Sequence, residues 1–299
     1  MFIFSARGES PPRQPYKFGQ DIFYFHHQFD MELPPVIRVV YVYVVMMNDG
    51  RIVFGISPYD YTCNLSPEED YYCELSIYNI NGSYEDCIPL QNVSHGMTAI
   101  DNSTLAVTSG YTIDIYDINN KVKIKSIDLS GITCDFHQLR CSDITTTNNN
   151  LAVSVCKGIM IIDHQTLEVV KTIDTDCLFP CCLHGTNDKI FYYDHPVYSY
   201  NNNNNNIYCY NYCDDQVDIV TLPSQPCSIT SLQDGSMYVL CEDGSLQHMS
   251  SDCKRYKTVT TKGLTPMEEH VNLVISYNPK QRKLVTFNLN GRLQVFGEA

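Results

Sequence analysis

Short runs of alternating apolar and polar residues, separated by turn residues, recur along this chain. In the stretch 229–249, residues 229–232 alternate and residues 237–240 form a short apolar run. Asp234–Gly235 and Asp243–Gly244 follow the two runs, and a glycine in this position permits the positive φ of a two-residue hairpin turn. A third strand begins at Leu246, and residues 257–260 form a fourth candidate strand. The pattern predicts a unit of four short antiparallel strands.

The same unit recurs through most of the chain. The second strand of successive copies begins at Ile52, Leu105, Leu151, Ile190, Met237 and Leu284. These positions are 39 to 53 residues apart, near the roughly 40–50 residues expected for one blade of a β-propeller. One blade cannot bury both of its faces alone, so several copies must pack together. The sequence therefore predicts an all-β, six-bladed β-propeller with four-stranded antiparallel blades.

The last copy, at 270–296, lacks a fourth strand, whereas the strand-like segment 21–29 has no copy of its own. We predict that 21–29 completes the last blade and closes the ring, because closure removes exposed sheet edges. The other blades are expected near 36–90, 91–135, 141–175, 181–222 and 227–262, within one domain spanning 21–299. Residues 1–20 contain several prolines and are expected to form a flexible leader.

Composition narrows the function classes. The chain has 20 Lys and Arg against 34 Asp and Glu, a formal charge of −14, which opposes binding to nucleic acid and to anionic membranes. No secretory signal is recognisable, so the 14 cysteines are expected to be reduced thiols in a cytoplasmic protein. There is no Trp, so the Trp-Asp motif of WD40 blades is absent.

A group of cysteines offers a weak metal candidate. Cys177, Cys181 and Cys182 cluster near His184, but their spacing departs from the paired spacing of most zinc sites. We predict neither a bound metal nor another cofactor.

A second group is more regular. His95, Cys141 and Cys227 each precede a second-strand position by ten residues, and Cys181 does so by nine. They are expected to line the central channel where the innermost strands begin. Such a ring could bind a metal or form a redox cluster. Alternatively, it could consist of small buried thiols where the strands crowd the axis. The second interpretation is favoured.

Two long excursions, 57–72 and 194–206, each join a second strand to a third and should emerge on one face. The first carries the candidate binding residues, which are acidic or tyrosine: Tyr59, Tyr61, Glu68, Glu69, Asp70, Tyr71 and Tyr72. Tyrosine supplies large contact area with a polar tip at protein interfaces. Acidic groups speed encounter with basic surfaces. We therefore expect a protein partner with a basic patch.

Catalytic motifs are absent: the chain has no Gly-x-Ser-x-Gly, no phosphate-binding glycine loop and no His-Glu-x-x-His. No catalytic residue is predicted, and a non-catalytic interaction module is favoured. The alternative is a calcium-dependent six-bladed hydrolase or lactonase. That chemistry needs carboxylates converging on the axis, whereas the inner-strand starts carry His, Cys, Ser and Thr.

Three segments carry a family resemblance: 225–247 (QPCSITSLQDGSMYVLCEDGSLQ), 95–118 (HGMTAIDNSTLAVTSGYTIDIYDI) and 290–298 (NGRLQVFGE). They resemble the NHL-like propeller at the C-terminal end of invertebrate tripartite-motif (TRIM, B-box) proteins. The resemblance implies a propeller that recognises a substrate or partner. No RING, B-box or coiled-coil pattern precedes it here, so the ubiquitin-ligase activity of the RING has no residues in this sequence. Some NHL propellers bind RNA through basic faces, an alternative that the acidic composition opposes.

Overall fold

The computed structural model describes residues 18–19, 22–30, 39–58, 73–91, 94–109, 111–129, 143–177, 179–194, 205–259, 273–288 and 292–298. Across these ranges, no helix is long and apolar enough to cross a membrane. The regular elements are strands that form six antiparallel sheets of four, each sheet being one blade.

The strands are named in chain order, beginning with β1 (Phe23–Asp30). Blade 1 contains β2 (Val39–Met46), β3 (Ile52–Pro58), β4 (Glu74–Tyr78) and β5 (Tyr84–Pro89). Blade 2 contains β6 (Gly96–Ala99), β7 (Thr104–Ser109), β8 (Thr112–Asp117) and β9 (Val122–Asp128). Blade 3 contains β10 (Ile144–Thr147), β11 (Asn150–Val155), β12 (Gly158–Asp163) and β13 (Val169–Asp174).

The remaining blades follow the same order from the axis outward. Blade 4 contains β14 (Pro180–Gly185), β15 (Lys189–Asp194), β16 (Asn206–Asn211) and β17 (Gln216–Thr221). Blade 5 contains β18 (Pro226–Ser231), β19 (Met237–Cys241), β20 (Leu246–Met249) and β21 (Tyr256–Val259). Blade 6 contains β22 (Leu273–Asn278), β23 (Lys283–Asn288), β24 (Arg292–Glu298) and, as its outermost strand, β1.

The N-terminal strand closes the ring, as predicted. β1 runs antiparallel to β24, with Phe23 opposite Glu298 and Asp30 opposite Arg292. A bulge between Phe25 and His27 shifts the register within the pair. The first strands of neighbouring blades contact one another around the axis, including β2 with β22. The six-bladed propeller with an N-terminal closing strand is therefore confirmed.

Within the described residues, the hydrophobic core forms six clusters, one at each junction between neighbouring blades. At the junction of blades 5 and 6, for example, Tyr238 and Leu240 pack with Tyr277, Phe296 and Phe23. Packing of apolar side chains between blades, rather than within one, is what a blade with two apolar faces requires. The middle strands are accordingly buried on both faces, as in β12, while β13 at the rim is mostly exposed.

The innermost strands are joined across the junctions by side-chain hydrogen bonds. In blade 5, Ser228 Oγ accepts from the Ile275 N–H at 3.1 Å and Thr230 Oγ1 accepts from the Tyr277 N–H at 3.0 Å. Alternate residues of a strand point the same way, so two acceptors spaced by two residues match two donors with the same spacing. Thr145 of blade 3 repeats the contact, with its Oγ1 2.9 Å from the Gly185 nitrogen of blade 4.

The Asp234–Gly235 turn has the predicted glycine conformation but not the predicted length. Gly235 has a φ of +81°. The Leu232 N–H donates to the Ser236 carbonyl at 2.7 Å, and the Gly235 N–H donates to the Leu232 carbonyl at 3.1 Å. The loop therefore contains three residues, a type that places glycine in the left-handed region after a tight turn. The prediction of a two-residue turn was wrong because Gln233 also belongs to the loop.

Only two residues of the predicted leader, Phe18 and Gly19, are among those described. The Gly19 N–H donates to His248 Nδ1 at 3.1 Å, and the Phe18 ring lies 5.1 Å from the His248 ring. These two residues are therefore held against blade 5.

Closure by β1 predicts a difference between two phenylalanines of that strand. Phe23 is 3% exposed and makes edge contacts with Tyr238 and Tyr277, at ring distances of 5.6 and 5.5 Å. Phe23→Ala should lower the free energy of unfolding by about 3–5 kcal/mol in a urea titration. Phe25→Ala is the control, because Phe25 is 41% exposed; it should cost about 1 kcal/mol or less. Equal losses would mean that β1 does not anchor through its buried face.

Candidate functional site

The predicted binding residues Tyr59, Tyr61, Glu68, Glu69, Asp70, Tyr71 and Tyr72 lie outside the described residues, in the connection from β3 to β4. The second excursion joins β15 to β16, which is the same step within its blade. Consecutive antiparallel strands turn at alternate ends, so both connections begin on one face of the propeller. The role of the acidic and tyrosine residues stays a prediction.

The weak zinc candidate does not converge on one point. Cys177 is buried between blades 3 and 4, whereas Cys181 is buried between blades 4 and 5. The Cys182 thiol donates to the Cys227 carbonyl at 3.2 Å, and His184 Nε2 accepts from the Ser231 N–H at 2.9 Å. Among the described side chains, no group of three or more His, Cys, Asp or Glu could hold a metal ion.

Three of the four predicted channel residues lie at the starts of innermost strands. His95 directly precedes β6, and Cys181 and Cys227 are the second residues of β14 and β18. Cys141 lies outside the described ranges. Cys181 is 7% exposed within the core, and the half-buried Cys227 donates its S–H to the Leu240 carbonyl at 3.3 Å. These contacts favour the interpretation that Cys181 and Cys227 are small buried thiols rather than part of a metal or redox ring.

A carboxyl group that sequence reasoning did not single out lies next to the start of β10. Asp143 Oδ1 accepts from the Ile144 N–H at 2.8 Å, and Oδ2 accepts from the Leu183 N–H of blade 4 at 2.7 Å. Blade 2 approaches so closely that a Cβ on Gly96 would lie 2.6 Å from Asp143 Oδ1. Burial raises the pKa of Asp143 to about 7, although its backbone hydrogen bonds oppose this shift. Asp143 thus joins three blades near the axis.

His184 performs a similar task at the next junction. Burial lowers the pKa of His184 to about 4. The imidazole is therefore neutral at neutral pH, and its Nε2 is available as the acceptor for the Ser231 N–H. Its geometry is that of a structural acceptor between blades 4 and 5.

A groove lies on the rim between blades 4 and 5. It has a volume of about 590 Å³. One wall is the end of β17, and the other is the turn before β21 together with its first residue. The lining residues are Asp218, Ile219, Val220, Thr221, Cys253, Lys254, Arg255 and Tyr256. A smaller groove of about 200 Å³ occupies the equivalent position between blades 3 and 4.

The walls of this rim groove combine an apolar surface with positive charge. Tyr256 is 39% exposed and faces blade 4, whereas the side chain of Ile219, opposite Tyr208, lies on the other face of β17. Lys254 and Arg255 supply two cations against one carboxylate, Asp218, in a chain whose formal charge is −14. Exposed apolar side chains rimmed by polar groups are typical of binding surfaces.

β17 is the outermost strand of blade 4. It pairs with β16 alone among the described strands, so no described strand covers its outer edge. Such an edge can accept an added strand from a partner.

Phe18 and Gly19 show how the outer part of blade 5 binds another segment of the chain. The Arg255 guanidinium lies 5.4 Å from the centre of the Phe18 ring, while Arg255 also lines the groove. Gly19, with a φ of +74°, packs so tightly on Lys257 that a side chain there would collide with it. His248, beneath Phe18, shares a hydrogen bond with Ser236 Oγ at 2.9 Å. The rim of blade 5 thus binds an aromatic residue next to a glycine.

Comparisons with known proteins identify the architecture. No protein-family model and no curated protein matches the chain. The WD40 domain of Pan2 from Neurospora crassa is similar in structure, with a TM-score of 0.63 and 11% identity, over 94% of this chain and 98% of that domain. A chain in the crystal structure of a mitotic checkpoint complex matches with a TM-score of 0.62 and 13% identity, over 99% and 98% of the two chains. At this identity the likeness establishes the propeller fold, which the chain has without the Trp-Asp motif.

The raised pKa of Asp143 predicts a pH-dependent contribution to stability. Its folded-state pKa of about 7 exceeds the ordinary value of 3.8, so the folded protein binds the proton more tightly than the unfolded chain does. The contribution is therefore fully present below about pH 4 and is lost as the pH rises through about 7. In thermal unfolding, the stability of the wild type relative to Asp143→Asn should fall over this range.

Asp163→Asn is the matched control. Backbone N–H groups of Thr166 and Gln165 lower the pKa of Asp163, so its contribution is present above the unfolded pKa and is lost only as the pH falls. Relative to this variant, the wild type should not lose stability between pH 4 and 7. A flat profile for Asp143→Asn would contradict its assignment as a buried, protonatable clamp.

Proposed function

We propose that the chain is a non-catalytic protein-interaction module whose rim groove between blades 4 and 5 binds an extended segment of a partner protein. The observation that carries this proposal is the groove itself, with its exposed Tyr256 beside the open edge of β17. A partner strand added to that edge would gain backbone hydrogen bonds, and its side chains would alternate between the groove and solvent.

The chemistry of the walls favours a segment with apolar or aromatic residues next to acidic ones. Tyr256 offers contact area to apolar side chains, and Lys254 and Arg255 offer partners to carboxylates. Cationic and aromatic contacts at partly desolvated sites contribute measurably to affinity. The Phe18–Arg255 contact is an example within the chain itself.

The similar structures agree with a role in protein assembly. One of them belongs to a mitotic checkpoint complex, and propellers expose extended rims and loop faces as binding surfaces. The finer assignment, a recognition propeller of the NHL type from tripartite-motif proteins, rests on the three sequence segments described above. A cytoplasmic location remains part of the proposal, based on composition alone.

A second contact is proposed for the excursion 57–72. Glu68, Glu69 and Asp70 form an acidic run between tyrosines, which suits a basic patch on the partner. One partner with two contact regions would bind this surface and the rim groove together. Two separate partners would each bind one of the two surfaces.

The groove predicts that Tyr256→Asp disrupts partner binding. The charged side chain would be desolvated in the contact, so recovery of groove-bound partners should fall by about tenfold or more, which corresponds to ~1.4 kcal/mol. The measurement is quantitative affinity purification from cells that express the chain. Tyr111→Asp is the matched control, because Tyr111 is 44% exposed against 39% for Tyr256 and lines neither rim groove. Equal recovery with both variants would refute the groove as the binding site.

The same assay has a second arm for the acidic run. Glu68→Lys/Glu69→Lys should reduce recovery of partners with a basic patch, with a loss that shrinks as salt is raised. Unchanged recovery would remove this excursion from the interface. A gel-shift assay with mixed RNA accompanies it, and tight, salt-sensitive RNA binding would overturn the protein-interaction proposal.

A further inference from the structure

Two thiols from neighbouring blades meet behind the rim groove. Cys209 lies in β16 of blade 4, and Cys253 lies in the turn before β21 of blade 5. Their Sγ atoms are 3.0 Å apart, within the hydrogen-bonding distance of two thiols, and both cysteines are reduced. Each residue is 1% exposed.

The backbone holds both cysteines in place. Cys209 is in the middle of its sheet, opposite Phe191 on one side and Asp218 on the other. Cys253 has a φ of +61°, an uncommon conformation for a residue with a side chain. Its N–H donates to the Ser250 carbonyl at 2.9 Å, which closes the turn. The two sulfur atoms are therefore brought together by rigid elements rather than by a mobile loop.

The surroundings give the two thiols unequal acidity. The hydrogen bond from Cys209 lowers the pKa of the Cys253 thiol, burial opposes this shift, and the Lys189 ammonium, 3.8 Å from Cys253 Sγ, reinforces it. The same thiol–thiol contact raises the pKa of Cys209. Lys189 is held in position by a 2.8 Å hydrogen bond from its Nζ to the Ser251 carbonyl. The Asp218 carboxylate opposes the effect of Lys189, because its negative charge raises the pKa of both thiols.

Cys253 is also the member of the pair that lines the groove. A small oxidant in the groove therefore lies beside Cys253, the residue with the more acidic thiol. Reactivity of a thiol toward peroxides follows its thiolate character and its access.

We infer that Cys209 and Cys253 form a reversible redox pair that peroxide converts to a disulfide joining blades 4 and 5. The Cys253 thiolate attacks one peroxide oxygen, the O–O bond breaks, and the released hydroxide takes up a proton to become water. The sulfur of the resulting sulfenic acid is then attacked by Cys209, which loses its proton. The S–S bond forms, the S–O bond breaks, and a second water leaves. In sum, two thiols and one peroxide give one disulfide and two waters.

This inference does not depend on partner binding at the groove. It requires only that the thiols be adjacent and that the groove admit a small molecule. The exposed Cys213 provides a contrast, because it has more solvent access but belongs to neither the pair nor the groove lining.

The test uses the full chain with Cys213→Ser, an exposed position that should leave the fold intact. Cleavage before aspartates then yields 194–213 with Cys209 as its one cysteine, and 252–299 with Cys253 as its one cysteine. The protein is treated with one equivalent of hydrogen peroxide, remaining thiols are alkylated, and the peptides are analysed by mass spectrometry. We expect these two peptides to be joined as the main oxidised species, two hydrogens lighter than their sum, and to separate on reduction.

Two further variants keep the test decisive. With Cys209→Ser added, oxidation should stop at a sulfenic acid on Cys253, which dimedone traps. With Cys253→Ser added, neither the disulfide nor the dimedone-trapped sulfenic acid should form at this pair. The disulfide should raise the melting temperature of the oxidised protein, and this variant should lose that rise. If both peptides stay fully alkylated while other thiols are oxidised, or if the link joins other cysteines instead, the inference is overturned.

Discussion

The innermost strand of each blade has one edge that no strand of its own blade covers, and the ring depends on how that edge is satisfied. Buried backbone N–H groups without partners are costly. Here the preceding blade supplies side-chain acceptors with the spacing of the strand itself. Ser228 and Thr230 accept from the Ile275 and Tyr277 N–H groups, and Asp143 and Thr145 accept from the Leu183 and Gly185 N–H groups. At these junctions one blade therefore completes the backbone hydrogen bonding of the next.

The same constraint explains the polar residues near the axis. Ser276 Oγ lies 3.4 Å from the Met46 nitrogen, and Asn278 Nδ2 donates to the Met47 carbonyl at 2.6 Å, which links the last blade to the first. His184 accepts from Ser231 at the junction of blades 4 and 5. Serine, threonine, asparagine and histidine at inner-strand positions are thus explained by structural hydrogen bonds. At the rim the situation is reversed, because the outermost strands leave an edge and several apolar side chains exposed. The rim therefore offers exposed surface to partners.

Features that repeat at regular intervals along the sequence were predictable. Features that depend on contacts between distant segments were not. The spacing of the second strands was enough to predict six blades. The missing fourth strand of the last copy was enough to predict that β1 closes the ring. The rim groove was missed because its walls, β17 and the turn before β21, come from different blades and carry no common motif. Asp143 was missed because one carboxyl before a strand resembles many turn aspartates until Leu183 is placed beside it. His184 was named only as a weak zinc candidate, and its structural partner Ser231 could not be predicted because that residue lies in another blade.

The most direct test of the account is amide hydrogen exchange in a Thr230→Val variant. Valine keeps the shape of threonine but removes the acceptor of the Tyr277 N–H. The account predicts that the Tyr277 amide exchanges at least about fivefold faster, the equivalent of ~1 kcal/mol for one lost acceptor. The Gly185 amide, which is served by Thr145 in another blade, should keep its protection. An unchanged Tyr277 amide, or equal acceleration of both amides, would contradict the claim that each blade satisfies the inner edge of the next.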